Sequence, residues 1–318
     1  GSEINQLNNP FGLSVDSNGN LYVADYENKR VLKIIKSTGD AEILIDSNTE
    51  GSILKSPGDS NTTTLGPRDI HIDSSGNIYV LFQKSYQEGV VEKFNSDGVY
   101  IEDVQKGGGN IAMIFDDEDN IYTINYHSQY PHVYKSTKDN YDATILFTDQ
   151  RFHFPNSIAV DSDGNLYVSG QNMSIIKWNK ESGESSYLDG KDSLGNPYGQ
   201  NLGNGSRAIS ITNRNTLLVS SDSNYEFNNQ GVFKASSPAI VTEYVLENGN
   251  ANFGSIVFKQ DLEKNDYYIG INALVDDGNG NLYLAIGKDD RQSGTDFNDT
   301  NIPEKDRVLF VYNGPVIT

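Results

Sequence analysis

The sequence predicts an all-β fold of repeated four-stranded units, on three observations. An aspartate followed by a Gly/Asn turn and an apolar triplet with tyrosine at its centre occurs five times. Each copy follows a short alternating segment and precedes a third apolar segment, which carries lysine in most copies. The copies recur about every 50 residues, a spacing typical of the blades of a β-propeller. The opening aspartates are Asp16, Asp73, Asp116, Asp161 and Asp277.

The turn between the first and second strands of each unit is predicted from residues that tolerate a positive φ. Asn18-Gly19, Ser75-Gly76, Asp163-Gly164 and Asn279-Gly280 are typical of tight hairpin turns. A sixth copy, Thr212 to Val219, keeps the frame but lacks the aspartate, the glycine and the tyrosine. Six units in 318 residues predict a six-bladed β-propeller of four-stranded antiparallel blades.

The third and fourth strands complete each predicted blade. In the fifth blade the third strand is expected at Val232-Phe233-Lys234 and the fourth at Ile240 to Leu246. Phe253 to Ile269 fits the pattern poorly and is assigned to the sixth blade. That blade lacks an outer strand after Tyr312, so an N-terminal strand at Ile4 to Leu7 is expected to close it. The chain is predicted to be a single domain, residues 1–318, with blades at about 10–48, 67–106, 108–150, 154–190, 205–247 and 253–318.

Lysine occupies one position of the third strand in five of the six units. These strands lie far from the propeller axis, so a ring of anion-binding lysines is disfavoured. Instead the lysines are expected to shield the sheet or to pair with the turn aspartates. They are Lys33, Lys93, Lys135, Lys177 and Lys234.

Composition narrows the classes of partner. The formal charge of −20, from 44 acidic and 24 basic residues, disfavours nucleic acid. The absence of cysteine excludes disulfides and thiolate sites, and the apolar runs are too short for membrane insertion. Gly1-Ser2 resembles a tag-cleavage scar. We expect a bacterial protein that is exported (extracellular, periplasmic or at the cell surface, its signal peptide removed) and monomeric.

The best-formed units resemble the NHL repeat. Asn9 to Asp25 matches the family's pattern of Pro-x-Gly, an apolar strand ending in aspartate, a Gly-Asn turn and an apolar-Tyr-Val strand nearly throughout. Phe154 to Ser169 is a second close match. The chain is more distantly similar to the propeller group of gluconolactonases and paraoxonases. The resemblance implies a β-propeller. It does not imply one function, because the same scaffold carries enzymes, binding modules and structural parts.

A binding face is predicted where the segments before the first strands and the loops after the second strands meet. Aromatic rings beside amides, carboxylates and guanidinium groups are suited to a glycan or a protein surface. The predicted function is therefore an exported recognition module that binds a protein or glycan partner. The candidates on this face are Tyr26, Arg68, Asp69, Tyr86, Tyr126, Tyr130, Asn156, Arg207, Tyr225 and Asn272.

The main alternative is a metal-dependent lyase or lactonase with its site at the mouth of the central channel. A third hypothesis is a purely structural spacer. No cofactor is certain. Zinc would be held by His127, His132 and His153, which fall on one predicted face. The resemblance to gluconolactonases implies a calcium site, for which Asp69, Asn156 and Asn272 are the candidates. Arginines near the same rim would oppose a cation. Streptogramin lyases are similar propellers that depend on paired histidines and glutamates in late blades. Because no histidine follows His153, that activity is excluded.

Overall fold

A computed structural model of the chain defines the fold. It describes residues 3–4, 6–55, 66–83, 89–109, 111–125, 131–137, 139–151, 154–170, 175–188, 190–191, 206–221, 225–227, 233–235, 238–247, 250–259, 270–279, 281–287 and 310–312. The only helix in these ranges is a 3-10 turn at Ile53–Lys55, so no helix there is long enough to cross a bilayer.

Within each of the first four blades the strands pair antiparallel in chain order. One parallel bridge between the outer strands of blades two and three joins these two blades into an eight-stranded sheet. Blade one contains β1 (Pro10–Val15), β2 (Leu21–Asp25), β3 (Arg30–Ile34) and β4 (Ala41–Ile45). Blade two contains β5 (Pro67–Ile72), β6 (Ile78–Gln83), β7 (Gly89–Phe94) and β8 (Tyr100–Gly108). Blade three contains β9 (Ala112–Phe115), β10 (Ile121–Ile124), β11 (His132–Thr137) and β12 (Asn140–Thr148). Blade four contains β13 (Pro155–Val160), β14 (Leu166–Gly170), β15 (Ile176–Trp178) and β16 (Ser185–Tyr187).

Blade five differs from the sequence prediction. Its strands and their neighbours are β17 (Gly190–Lys191), β18 (Ser206–Ile211), β19 (Thr216–Ser221), β20 (Tyr225–Phe227), β21 (Phe233–Ala235), β22 (Ile240–Glu247) and β23 (Asn250–Lys259). The sheet order is β17-β23-β22-β19-β18, so β22 is the third strand and β23 the fourth. The predicted third strand at Val232-Phe233-Lys234 is wrong, because Phe233–Ala235 pairs with β20 in a separate hairpin. A six-residue register between β19 and β22 fills the third-strand position instead.

The sixth sheet has three strands in the described residues, β24 (Gly270–Asp276), β25 (Leu282–Gly287) and β26 (Phe310–Tyr312). Six four-stranded blades were expected. The described residues form five blades and this three-stranded sheet. The expected N-terminal strand is absent at the described residues Ile4, Gln6 and Leu7. Instead, this segment is hydrogen-bonded to blade one. The guanidinium group of Arg30 in β3 donates to the carbonyl oxygens of Glu3 (2.8 Å) and Gln6 (2.6 Å).

The apolar core lies between the sheets. Six apolar clusters among the described residues each join two sheets that follow one another around the ring. One of them packs Leu13 and Val23 of blade one against Tyr283 and Ala285 of the sixth sheet. The inner strands β1, β5, β9, β13, β18 and β24 therefore contact one another in a closed ring. Such closure arranges the inner strands about a common central space.

The predicted hairpin turns at Asn18-Gly19, Ser75-Gly76 and Asp163-Gly164 are confirmed, and each is held by its aspartate. Gly280 of the fourth predicted turn lies outside the described residues. In blade four, the carboxylate of Asp161 accepts hydrogen bonds from the backbone of Asp163 and Asn165, from the Asn165 amide and from the Tyr167 hydroxyl. Blades one to three repeat this set. In the degenerate fifth copy, the Thr212 hydroxyl accepts from the backbone N–H of Arg214 and of Thr216. One side-chain acceptor therefore still organises that turn.

The repeated lysine lies over the repeated tyrosine. The ammonium nitrogens of four lysines stand 5.3–5.6 Å from the centroids of the tyrosine rings on the adjacent second strands. This cation–π contact accounts for their spacing without a ligand. The pairs are Lys33–Tyr22, Lys93–Tyr79, Lys135–Tyr122 and Lys177–Tyr167.

A buried carboxyl group joins blade one to blade two. Glu92 of β7 is 2 % exposed and accepts hydrogen bonds from the Ser52 hydroxyl (2.8 Å) and the Ile53 N–H (2.7 Å). Burial raises the Glu92 pKa to about 7, although the two donors oppose that shift. The folded state therefore binds a proton here more tightly than the unfolded chain does.

Replacing Glu92 by glutamine is expected to flatten the dependence of stability on pH. Because the folded pKa exceeds the unfolded one, the contribution of Glu92 is complete below about pH 4.5 and is lost as the pH rises through 7. Between pH 5 and pH 8 the wild type is expected to lose unfolding free energy through Glu92. The Glu92→Gln variant is expected to lose about 1–3 kcal/mol less over the same pH range. Chemical denaturation at the two pH values measures this. The exposed Glu181→Gln variant is the control, and an unchanged pH dependence in Glu92→Gln would contradict the assignment.

Candidate functional site at the channel mouth

The inner strands enclose a cavity of about 530 Å³. Its lining comes almost wholly from β1, β5, β9, β13, β18 and β24. Tyr26 and Glu27, from the loop after β2, and Gln83, at the end of β6, line it as well. The cavity therefore extends to the loops that follow the second strands, on the face predicted to bind a ligand.

A register irregularity recurs in five inner strands at the same place. It falls between Pro10 and Leu13, Pro67 and Asp69, Pro155 and Ser157, Ser206 and Ile209, and Ile271 and Ala273. Such bulges redirect side chains and are frequent beside functional sites. Each irregularity spans the position five residues before the residue that opens the hairpin turn. That position is occupied by Phe11, Arg68, Asn156, Arg207 and Asn272.

Arg68 is held by aromatic rings at this level. Its guanidinium carbon stands 3.8 Å from the Phe11 ring centroid and 5.6 Å from that of Tyr26. The two rings meet edge to face at 5.1 Å, and the Tyr26 hydroxyl donates to Gln83 at 3.2 Å. Stacking of this kind fixes the plane of a guanidinium group, which suits it to planar, bidentate recognition of a carboxylate.

Asn156 and Asn272 each bring an amide atom that makes no hydrogen bond within the described structure. The buried Nδ2 of Asn156 and the buried Oδ1 of Asn272 are both of this kind. The other end of the Asn272 amide is fixed, because its Nδ2 donates to the Pro10 carbonyl oxygen at 2.9 Å. Asn156 and Asn272 both line the cavity, on separate strands, and each carries one such buried amide atom.

Asp69 links blades two and three inside the cavity. One carboxylate oxygen accepts from the Ile70 N–H at 2.9 Å, and the other accepts from the Met113 N–H at 2.9 Å. Burial raises the pKa of Asp69 to about 6, against the effect of these two donors and of the Arg68 charge. Both oxygens are therefore engaged, and the group changes its charge near neutral pH.

The surroundings of Asp69 disfavour a calcium ion. Calcium binds ionised carboxylates that turn their oxygens toward the ion, whereas both Asp69 oxygens face N–H groups and Arg68 is adjacent. Among the residues that the structure describes, no group of three His, Cys, Asp or Glu side chains is placed to hold a metal ion. The predicted calcium ligands Asp69, Asn156 and Asn272 all line one cavity, and the calcium site itself stays a prediction.

His71 is a site residue that sequence reasoning missed. It lines the cavity two residues after Asp69, and its ring stacks on Phe115 at 4.3 Å with an interplanar angle of 7°. Burial lowers the pKa of His71 to about 4, against the effects of Asp73 and Asp119. The imidazole is therefore neutral at physiological pH. Its place on an inner strand, shared with Arg68, was the signal in the sequence.

The structure unites half of the predicted binding residues. Tyr26, Arg68, Asp69, Asn156 and Asn272 line the one cavity. The backbones of Arg207 and Tyr225 lie in β18 and β20. Outside the described residues lie Tyr86, Tyr126, Tyr130, His127 and His153.

The third predicted zinc ligand, His132, lies in β11 and is absent from the cavity lining. Its Nδ1 is 2.6 Å from the Thr148 hydroxyl, and its ring meets that of Tyr134 edge to face. These contacts with the sheet account for the position of His132. Because its two predicted partners are not described, the zinc site stays a prediction.

Comparison with known proteins supports the fold. Residues 7–34 match the model of the NHL repeat, and residues 154–171 match that of a β-propeller repeat. The chain is thus an NHL-like β-propeller, as its sequence resemblance implied. No curated protein sequence matches it.

Solved structures with this fold differ widely in function. A gluconolactonase from Xanthomonas campestris is 13% identical over 89% of this chain and 84% of its own, with a TM-score of 0.56. A chain of a nidogen/laminin complex is 14% identical over 81% and 82%, with a TM-score of 0.55. A streptogramin B lyase is 14% identical over 89% and 92%, with a TM-score of 0.51. At such identities the likeness shows the fold alone, so the function has to be argued from the cavity.

Proposed function

We propose that this protein is a recognition module that binds a glycan, one end of which enters the cavity at the channel mouth. Sugars offer many hydroxyl donors and acceptors on a small body, and a cavity of about 530 Å³ is within the range typical of small-ligand sites. The half-buried ring of Tyr26 lies in the cavity lining beside the polar groups. An aromatic ring next to amides suits a sugar ring.

The observation that carries the proposal is the pair of unsatisfied amide atoms on Asn156 and Asn272. A buried polar atom without a partner costs about 1–3 kcal/mol, so native proteins have few of them. Both atoms lie on residues that line the same cavity. A ligand that accepts from one and donates to the other would relieve that cost on binding.

The alternative, a metal-dependent lyase or lactonase, has less support. Its calcium version needs Asp69 as a ligand, yet both oxygens of that carboxylate accept backbone hydrogen bonds. A protein partner, the other ligand class predicted from the sequence, would have to insert a side chain or a chain end into the cavity. Export and a monomeric state remain proposals that rest on composition.

A glycan array probed with the labelled protein tests the proposed function. We expect signal on at least one glycan, unchanged by EDTA and reduced at least tenfold in Asn156→Ala. That variant is expected to keep the wild-type melting temperature, because it removes an atom without a partner. Asn18→Ala, on an exposed hairpin turn, is the matched control. Absence of signal on every glycan, or signal that persists in Asn156→Ala, would contradict the proposal.

A further inference from the structure

We propose that the sugar recognised at the channel mouth is an acidic one, whose carboxylate is held by Arg68 and Asn156 and whose hydroxyl donates to Asn272. This inference rests on the proposed function and names the ligand class.

The first support is the position of Arg68. Its guanidinium group lies 3.8 Å over the Phe11 ring, within the cavity lining. A guanidinium that stacks on a ring face keeps its N–H donors in the plane of the group, at its edges. Two parallel N–H donors of this kind match the two oxygens of a carboxylate, and the resulting charge-assisted hydrogen bonds are about twice as strong as neutral ones.

The second support is the donor character of Asn156. Its buried Nδ2 has no acceptor in the described structure. A carboxylate has about four lone-pair positions and can accept from a guanidinium and an amide together. A neutral hydroxyl has two such positions and a weaker acceptor oxygen. The pair formed by Arg68 and Asn156 therefore favours an anion over a neutral sugar.

The third support is the acceptor on Asn272. Its Oδ1 lacks a donor, while its Nδ2 is fixed on the Pro10 carbonyl. The ligand must therefore present a hydrogen-bond donor as well as the carboxylate. A sugar acid carries hydroxyl donors on several ring carbons beside its carboxylate. A peptide C-terminus carries one N–H near its carboxylate and is the competing source of the same chemistry.

The charge of the chain limits the ligand to a single acidic terminus. The protein carries a formal charge of −20, which repels polyanions at long range. The exposed Glu27 also lines the cavity, at the rim. One carboxylate at the end of an otherwise neutral chain meets less of this repulsion than a run of them.

Calorimetric titration with matched small probes tests the inference. We expect methyl β-D-glucuronide to bind at least tenfold more tightly than methyl β-D-glucoside, which differs only in the carboxylate. Arg68→Gln and Asn156→Asp are expected to abolish this preference, the second by placing a like charge beside the ligand. Arg214→Gln and Asn18→Asp make the same charge changes outside the cavity and are expected to keep it.

The possible failures are distinguishable. If both sugars bind equally and Asn156→Ala weakens both, the acidic ligand is wrong while the recognition function holds. If acetyl-dialanine with a free C-terminus binds more tightly than the glucuronide, and its amide does not bind, the ligand is a peptide. If neither sugar binds and the array is silent, both proposals fail. Melting curves of Arg68→Gln separate a lost contact from a misfolded variant, and Asn156→Asp repeats the test independently.

Discussion

Replacing Asp161 by alanine is expected to lower the free energy of unfolding by about 3–5 kcal/mol. Asp161 is 8% exposed, and its carboxylate accepts hydrogen bonds from two backbone N–H groups, one side-chain amide and one hydroxyl of its own hairpin. Its loss leaves the hydroxyl of Tyr167, a side chain 1% exposed, without its acceptor at 2.8 Å. Denaturant unfolding of the purified variant measures the change.

Two further variants separate the contributions in this turn. Tyr167→Phe removes only the hydroxyl and is expected to cost about 1 kcal/mol, because the carboxylate keeps its other donors. Ser162→Ala, at the exposed neighbouring position, is expected to change stability by less than about 0.5 kcal/mol. A cost below about 1 kcal/mol for Asp161→Ala would contradict the view that blade four depends on its turn aspartate.

The second large effect is expected for Gly12→Ala, where blade one meets blade two. A Cβ at Gly12 would lie 2.5 Å from the Asp69 Cα and 2.9 Å from the Ile70 nitrogen. Both are backbone atoms, so a strand has to shift to relieve the contact. We expect a loss of about 3 kcal/mol in unfolding free energy, from overpacking. Because the shift moves Asp69 and its neighbour Arg68, ligand binding is expected to weaken as well.

Gly39→Ala is the control for this steric argument. Gly39 has a φ of +77°, but no atom lies within 4 Å of a Cβ placed there. Its substitution is expected to cost about 1–2 kcal/mol from backbone strain alone. Thermal unfolding of both variants decides the order. Greater destabilisation by Gly39→Ala than by Gly12→Ala would show that the close approach of the two inner strands is not a constraint.

The hairpins were predictable because their determinants are local. Asp161 and Tyr167 are six residues apart, and a positive φ at Gly164 completes the turn between them. The fifth blade was mispredicted because Val232-Phe233-Lys234 has the same local pattern as a true third strand. Long-range pairing decides which apolar segment joins the sheet. Ile240–Glu247 joins it because it pairs with β19 over six residues.

The channel lining was partly predictable for a related reason. Counting back from each turn aspartate places Arg68, Asn156 and Asn272 at equivalent positions, so their convergence follows from the repeat. The contacts of Asp69 were not predictable, because the backbone N–H of Met113 that donates to it comes from another blade. Pairing between blades has no signature in the spacing of one blade. The stacking of His71 on Phe115 of β9 is likewise a contact between blades, although the place of His71 on the same inner strand as Arg68 was visible in the sequence.

A crystal structure of the protein with methyl β-D-glucuronide tests the central claim most directly. We expect the sugar within the cavity, its carboxylate about 3 Å from the guanidinium nitrogens of Arg68 and the Nδ2 of Asn156. A hydroxyl is expected within hydrogen-bond distance of the Asn272 Oδ1. Ligand density on the outer strands, or a sugar in the cavity whose carboxylate points away from Arg68, would contradict the account.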